Sequence, residues 1–212
     1  MTIKDSAKTL VCYGDSNTWG SIPHKLGAHE RYPRSVRWPS LLQNLLGADF
    51  EVVNEGLSAR TFVVVDAGRP WRTGITHLTS ILKTNEPVYL IIIMLGTNES
   101  KARYNLKPAD ITNHLEKTIQ LIHTEDSNIK IVVLCPPAPV APKEGKGRED
   151  MKDAPELFKQ LPGLYKEVAD KAGCMFLNAG DYISSSSVDG YHLDPDAHKK
   201  LAEVLSEKIK EI

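Results

Sequence analysis

The chain has 212 residues, a length that suits one α/β domain spanning 1–212, and nothing in its composition marks an internal boundary or a second core. With 41% hydrophobic and 25% charged residues it reads as an ordinary soluble globule, not a disordered or fibrous chain. The 26 basic and 27 acidic side chains nearly cancel, and no Lys/Arg stripe interleaved with aromatics tracks a phosphate backbone, which argues against nucleic acid as a partner.

The first eight residues are polar and carry no apolar signal-peptide core. The longest apolar run, 88–95, is far too short to cross a bilayer, so a cytoplasmic protein with no membrane partner is expected. Cys12, Cys135 and Cys174 make an odd count without a C-x-x-C pair, and two of them sit in strand-like runs. They read as reduced core thiols, leaving no metal, redox cofactor or cysteine nucleophile in the expectation.

Five short β-like runs, 9–13, 50–54, 88–95, 129–135 and 175–177, alternate with segments of helical period. The first helical stripe, Leu41, Leu42, Leu45 and Leu46, follows Pro39, a residue favoured in a first turn. Ile75, Leu78 and Leu82 make a second stripe. Ile111, Leu115, Ile119 and Ile122 make a third, opened by Pro108. A fourth, Leu164, Tyr165, Val168 and Ala172, follows Pro162-Gly163; the last, Leu201, Val204, Leu205, Ile209 and Ile212, follows Asp194-Pro195, a good N-cap and N1 pair. Strict alternation argues for a parallel sheet covered on both faces, because right-handed crossovers put helices there and doubly buried strands lose their polar alternation. The run from Val88 to Met94 fits the central strand. The expected fold is a three-layer α/β/α domain with a flavodoxin-like, five-stranded parallel sheet. Two connections exceed structural need, 20–37 with His24, His29, Arg31, Tyr32 and Arg34, and 136–153 with four prolines and dense charge. The second reads equally as a lid, a subunit contact or a plain solvated loop.

In a parallel sheet every segment that directly follows a strand lands on one edge, where α/β folds place their ligand sites. Four polar blocks fall there: Gly14-Asp15-Ser16-Asn17, Asn54-Glu55-Gly56, Gly96-Thr97-Asn98-Glu99, and Asp189-Gly190-Tyr191-His192 before the last helix. A serine hydroxyl becomes a nucleophile when a base takes its proton and a third group orients that base. Ser16, His192 and Asp189 can fill these roles, and the other six histidines lie in helical pattern or in the first long loop. Negative charge on an attacked carbonyl needs donors aimed at it. The candidates are the backbone N–H of Ser16, the backbone N–H of Gly56, which lets the main chain approach closely, and the amide of Asn98. Each block alone is equally well a turn or a helix cap.

Together the four blocks resemble the SGNH hydrolases, or GDSL esterase/lipase family, named for a Ser, Gly, Asn and His from separate blocks. The segments Val36-Arg37-Trp38, 56–61 and 92–98 are similar to its bacterial arylesterase and acyltransferase/perhydrolase branch. The resemblance implies Ser16 as nucleophile, His192 as base and then acid, Asp189 as its partner, and Ser16, Gly56 and Asn98 as oxyanion donors. It also implies an SGNH hydrolase fold, a small ester as substrate, short acyl groups passed to water, alcohols or peroxide, homo-oligomers, and no cofactor. Asn17 stands in place of the motif's leucine, and Glu99 where aspartate is usual. Asp15, Trp19, Ser58 and Lys101 are further candidates for substrate contact. Two rivals follow: a carbohydrate O-deacetylase or thioesterase on the same fold, and a binding module whose 15–18 turn holds phosphate as flavodoxins hold FMN.

Overall fold

A computed structural model of the protein describes residues 2–24, 30–143 and 149–212. Five strands, β1 (Lys8–Gly14), β2 (Phe50–Gly56), β3 (Val88–Met94), β4 (Lys130–Cys135) and β5 (Met175–Asn178), form one wholly parallel sheet in the order β2-β1-β3-β4-β5. Around them run α1 (Ser16–Trp19), α2 (Trp38–Leu46), α3 (Gly74–Thr84), α4 (Pro108–Glu125), α5 (Ala154–Phe158), α6 (Leu161–Lys171) and α7 (Pro195–Lys210).

The central strands divide their side chains between two cores. Val11, Tyr13, Ile91, Ile93, Ile131 and Val133 face α3, α4 and α6, while Leu10, Cys12, Leu90, Ile92, Val132 and Leu134 face α2 and α7. A strand apolar at every position is stable only between two helical layers, which is why these runs show no polar alternation. Leu78, Ile111, Leu115, Tyr165 and Val168 close the first core; Trp38, Leu42, Leu201 and Leu205 close the second. His198 on α7 is fully buried against α2 and accepts from the Trp38 N–H at 3.3 Å. Burial lowers its pKa to about 4, so it stays a neutral structural ring.

The helical stripes are met with three local differences. Leu45 is exposed while Leu42 and Leu46 are packed. Pro162 and Gly163 lie inside the first turn of α6 instead of preceding it, and its buried face is Leu161, Tyr165, Val168 and Ala169. Ile212 falls beyond α7 and is exposed. Pro is tolerated within a first turn because its missing N–H has no intrahelical partner there, so Pro162 does not delay the helix. Cys12 and Cys135 are buried and Cys174 is half-buried, all as free thiols. No helix among the described residues is long and apolar enough to cross a membrane.

The chain runs from β1 outward to β2 through α2 on one face. It then returns across β1 to β3 through α3 on the other. The carboxyl ends of β1 and β3 therefore flank the point where the winding direction reverses, the crevice in which such sheets hold ligands. Gly14 pairs with Gly56 on one side and Met94 on the other, so three of the four polar blocks leave the sheet side by side.

Candidate active site

Ser16 is the first residue of α1, whose N-terminus is capped by Asp15: the Asn17 N–H donates to Asp15 Oδ1 at 2.9 Å. The turn must be tight because it leaves the strand end under cover. Even a methyl group at Gly14 would meet Thr18 Oγ1 and the Met94 carbonyl. The fourth block arrives from the far end of the chain. His192 Nε2 lies 3.0 Å from Ser16 Oγ, and His192 Nδ1 lies 2.7 Å from Asp189 Oδ2. Asn17 ties the two blocks together, its Nδ2 donating to the Tyr191 carbonyl at 3.0 Å, which gives the residue in the motif's leucine position a structural task.

Asp189 is placed by its own loop. Its Oδ1 accepts from the N–H groups of Tyr191 and His192 at 3.1 and 3.0 Å, and its Oδ2 also accepts from the His24 N–H at 3.2 Å. Burial pushes its pKa up, but the hydrogen bonds and charge of His192 and the two N–H donors outweigh that, and the net shift is downward. The described part of the loop at 136–153 braces this turn: the Val140 N–H donates to the Gly190 carbonyl at 2.8 Å. A side chain at Gly190, whose φ is +90°, would collide with the Val140 carbonyl. His29 and residues 144–148 lie outside the described residues.

Opposite the imidazole, Asn98 is fixed through its whole amide. Oδ1 accepts from Lys101 Nζ at 2.6 Å, while Nδ2 donates to the Arg60 carbonyl at 3.0 Å and more loosely to Asp15 Oδ2 at 3.3 Å. Two ammonium or carbonyl neighbours of the wrong polarity would follow from flipping it, so its NH2 side is set. Arg60 is buried, donates to the Gly14 and Glu55 carbonyls, and lies over the Tyr13 ring at 4.3 Å. Next to Asn98, Glu99 is fully buried and accepts from the Phe62 N–H. Burial raises the Glu99 carboxyl to about 8 and that of Asp15 to about 6.

Ser16, Ser58, Ala59, Asn98, Lys101 and His192 border one cavity of about 610 Å³. Three sequence expectations are corrected here. Gly56 is not a wall of this cavity: its N–H donates to Asn54 Oδ1 at 2.9 Å, and its lack of Cβ serves close packing, because a methyl group there would meet the Trp19 N at 2.1 Å. Asp15 is likewise withdrawn, acting as helix cap and as a partner of Asn98. Trp19, half-buried, stacks against the Arg31 guanidinium at 4.8 Å and is not among the residues that border the cavity. The residue of this turn that does border the cavity, beside Ser58, is Ala59. It is held at φ +64°, and its N–H meets no acceptor among the described residues. An L-residue with a side chain rarely adopts that conformation outside functional or tightly constrained turns. No sequence signal marks it, since alanine advertises nothing about φ.

Ser16 and His192, linked on to Asp189, thus border a crevice at the sheet's carboxyl edge together with Ala59 and Asn98. Residues 12–200 match the profile of the GDSL-like Lipase/Acylhydrolase family. The chain belongs to that family. This GDSL-like chain is similar in structure to an aryl esterase of M. smegmatis, with 34% identity, a TM-score of 0.92, and 97% of this chain and 99% of that one covered. A carbohydrate acetylesterase from Sinorhizobium meliloti matches at 33% identity and a TM-score of 0.89, over 96% and 99% of the two chains. In sequence it is 25% identical over 231 residues to an acetylxylan esterase of Xylanibacter ruminicola, covering 98% of this chain. It spans 44% of that relative's length, a little under half. The three-layer fold expected from the alternation of strands and helices is that of the SGNH hydrolases.

Proposed function

We propose that the protein is a serine esterase that removes short acyl groups from small esters through an acyl-enzyme intermediate. The observation that carries this reading is the unbroken chain Ser16 Oγ, His192 Nε2, His192 Nδ1, Asp189 Oδ2, with separations of 3.0 and 2.7 Å. His192 takes the Ser16 proton as Oγ attacks the acyl carbon and then delivers it to the departing alcohol; water repeats the cycle in reverse. Asp189, held ionised by its donors, fixes the proton on Nδ1 and balances the imidazolium formed.

The oxyanion forms where the N–H groups of Ser16 and Ala59 and the Asn98 amide converge. The first two meet no acceptor among the described residues. Asn98 spends one hydrogen on Arg60; its longer contact to Asp15 is the one a developing anion competes for. Each such donor contributes about 3 kcal/mol to the transition state. Ala59 replaces Gly56 in this role, for the geometric reasons above.

A carbohydrate O-deacetylase on the same machinery is the second reading, favoured by a cavity far larger than an acetyl group and by the structural likeness to a carbohydrate acetylesterase. Transfer of the acyl group to alcohols, a cytoplasmic location and homo-oligomer formation belong to the same proposal; three free thiols fit a reducing compartment. The test is labelling by a fluorophosphonate probe with peptide mapping. Ser16 is expected to carry the adduct in the native protein, and the Ser16→Ala variant is expected to fold, remain unlabelled and lose p-nitrophenyl acetate turnover. Undiminished turnover by that variant would remove the reading.

A further inference from the structure

The charge of the cavity beside Ser16 and His192 is out of keeping with the chain as a whole. The protein has a formal net charge of −1, yet the cavity wall presents Arg69, Arg72, Lys101 and Arg103 against a single described carboxylate, Asp66. These cations come from two segments. Arg69 and Arg72 follow β2, and Lys101 and Arg103 follow β3, so the carboxyl edge of the sheet brings them to one cavity.

They are neutralised only in part, four cations meeting two carboxylates. Arg72 pairs with Asp66 at 3.6 Å and Arg103 with Asp150 at 3.7 Å, while Arg69 pairs with no carboxylate among the described residues. The guanidinium of Arg72 is held below its ordinary value chiefly by partial burial, with Arg69 and Arg103 lowering it further against the opposing charge of Asp66. Lys101 is engaged with Asn98 and Arg103 also donates to Tyr104 Oη at 3.2 Å, so Arg69, without a carboxylate partner, and the outward part of the other two guanidinium groups carry the excess charge that borders the cavity. Clefts lined by one sign of charge concentrate ligands of the opposite sign, and a guanidinium is the side chain best shaped for the oxygens of a carboxylate or phosphate.

We propose that the natural substrate is an ester whose alcohol portion carries an anionic oxygen group, read by Arg69, Arg72 and Arg103. This rests on the serine-esterase reading and assigns its substrate class. The charge belongs on the alcohol side because a cavity of about 610 Å³ has the size of a site for a whole small ligand, of which a short acyl group fills only a corner.

The experiment compares kcat/KM for 4-acetoxybenzoate with that for its neutral analogue 4-acetoxybenzamide at low ionic strength, each divided by its rate with hydroxide to remove intrinsic reactivity. A third substrate, 4-acetoxyphenyl phosphate, asks whether carboxylate or phosphate is preferred. The expected anionic-to-neutral ratio is about tenfold or more, within the range that electrostatic focusing supplies, and it shrinks as salt is added. Arg69→Gln with Arg103→Gln is expected to bring the ratio towards one, and Arg69→Glu to lower it further than Arg69→Gln. The salt titration of the native protein reads the same electrostatics without any variant. Turnover of the neutral ester with a ratio of one or less overturns this inference and leaves the esterase standing; turnover of none of the three overturns the esterase reading and this one with it.

Discussion

The two sides of the crevice around Ser16 are assembled by different means. On the imidazole side the arrangement is almost entirely local: Asp189 and His192 stand three residues apart, and the carboxylate is gripped by the N–H groups of its own turn and the His192 ring. On the amide side nothing is local except Lys101, because Asn98 is fixed by Asp15 and Arg60 from distant segments. The difference shows in the acids. Asp189, supplied with several donors, is held below its ordinary range, whereas Glu99, fully buried, is raised to about 8. A short sequence block can carry a charged acid into a site with its donors attached, while a neutral one is made by the surrounding fold.

The comparison can be broken from either side. The largest effect is expected for Asp189→Asn. The amide cannot hold the Nδ1 proton and balance the imidazolium, and kcat should fall about ten-thousandfold in steady-state assays while thermal unfolding changes little. Asn98→Ala removes one donor from the amide side, and turnover is expected to fall roughly a hundredfold to a thousandfold. If the two losses prove equal, the imidazole side has no greater share than the amide side.

Glu99→Gln sharpens the contrast between the acids. The native carboxyl keeps its proton up to about 8, whereas the unfolded chain gives it up near 4.5, so the folded state binds more protons between those values. Stability from this group is therefore present below 4.5 and lost as pH rises through 8. The Gln variant lacks that loss, and its melting temperature should gain on the native protein as pH is raised across the interval. A constant difference between the two melting curves would show that Glu99 is ionised in the fold throughout.

The smallest effect is expected at Ala59. Glycine adopts φ +64° without the clash of a Cβ, so Ala59→Gly should stabilise the protein by about 1 kcal/mol, or roughly 2–4 °C in melting temperature, while keeping the backbone donor. Retained esterase turnover with a higher melting temperature is the expected outcome by calorimetry and steady-state assay.

Much of this was legible in the chain. The all-apolar run of β3, the helices opened by Pro108 and Pro195, and the polar blocks that follow β1, β2 and β3 all follow from local period and turn chemistry. The approach of Ser16 to His192, 176 positions later, was legible as well, because a parallel sheet sends every strand's carboxyl end to one edge. Gly56 was misread for a physical reason: a missing Cβ signals close approach without naming what approaches. Here it is the Trp19 backbone.

The sequence by itself determined the layers, the sheet and the edge on which the polar blocks meet, since these depend on the spacing of apolar residues and on turns a few residues long. Only the tertiary structure decided that Ala59 and not Gly56 borders the crevice, which acids stay charged, and that three arginines of a nearly neutral chain line the same cavity. Those outcomes depend on burial and on distances between segments far apart in the chain, and neither quantity is written in the order of the residues.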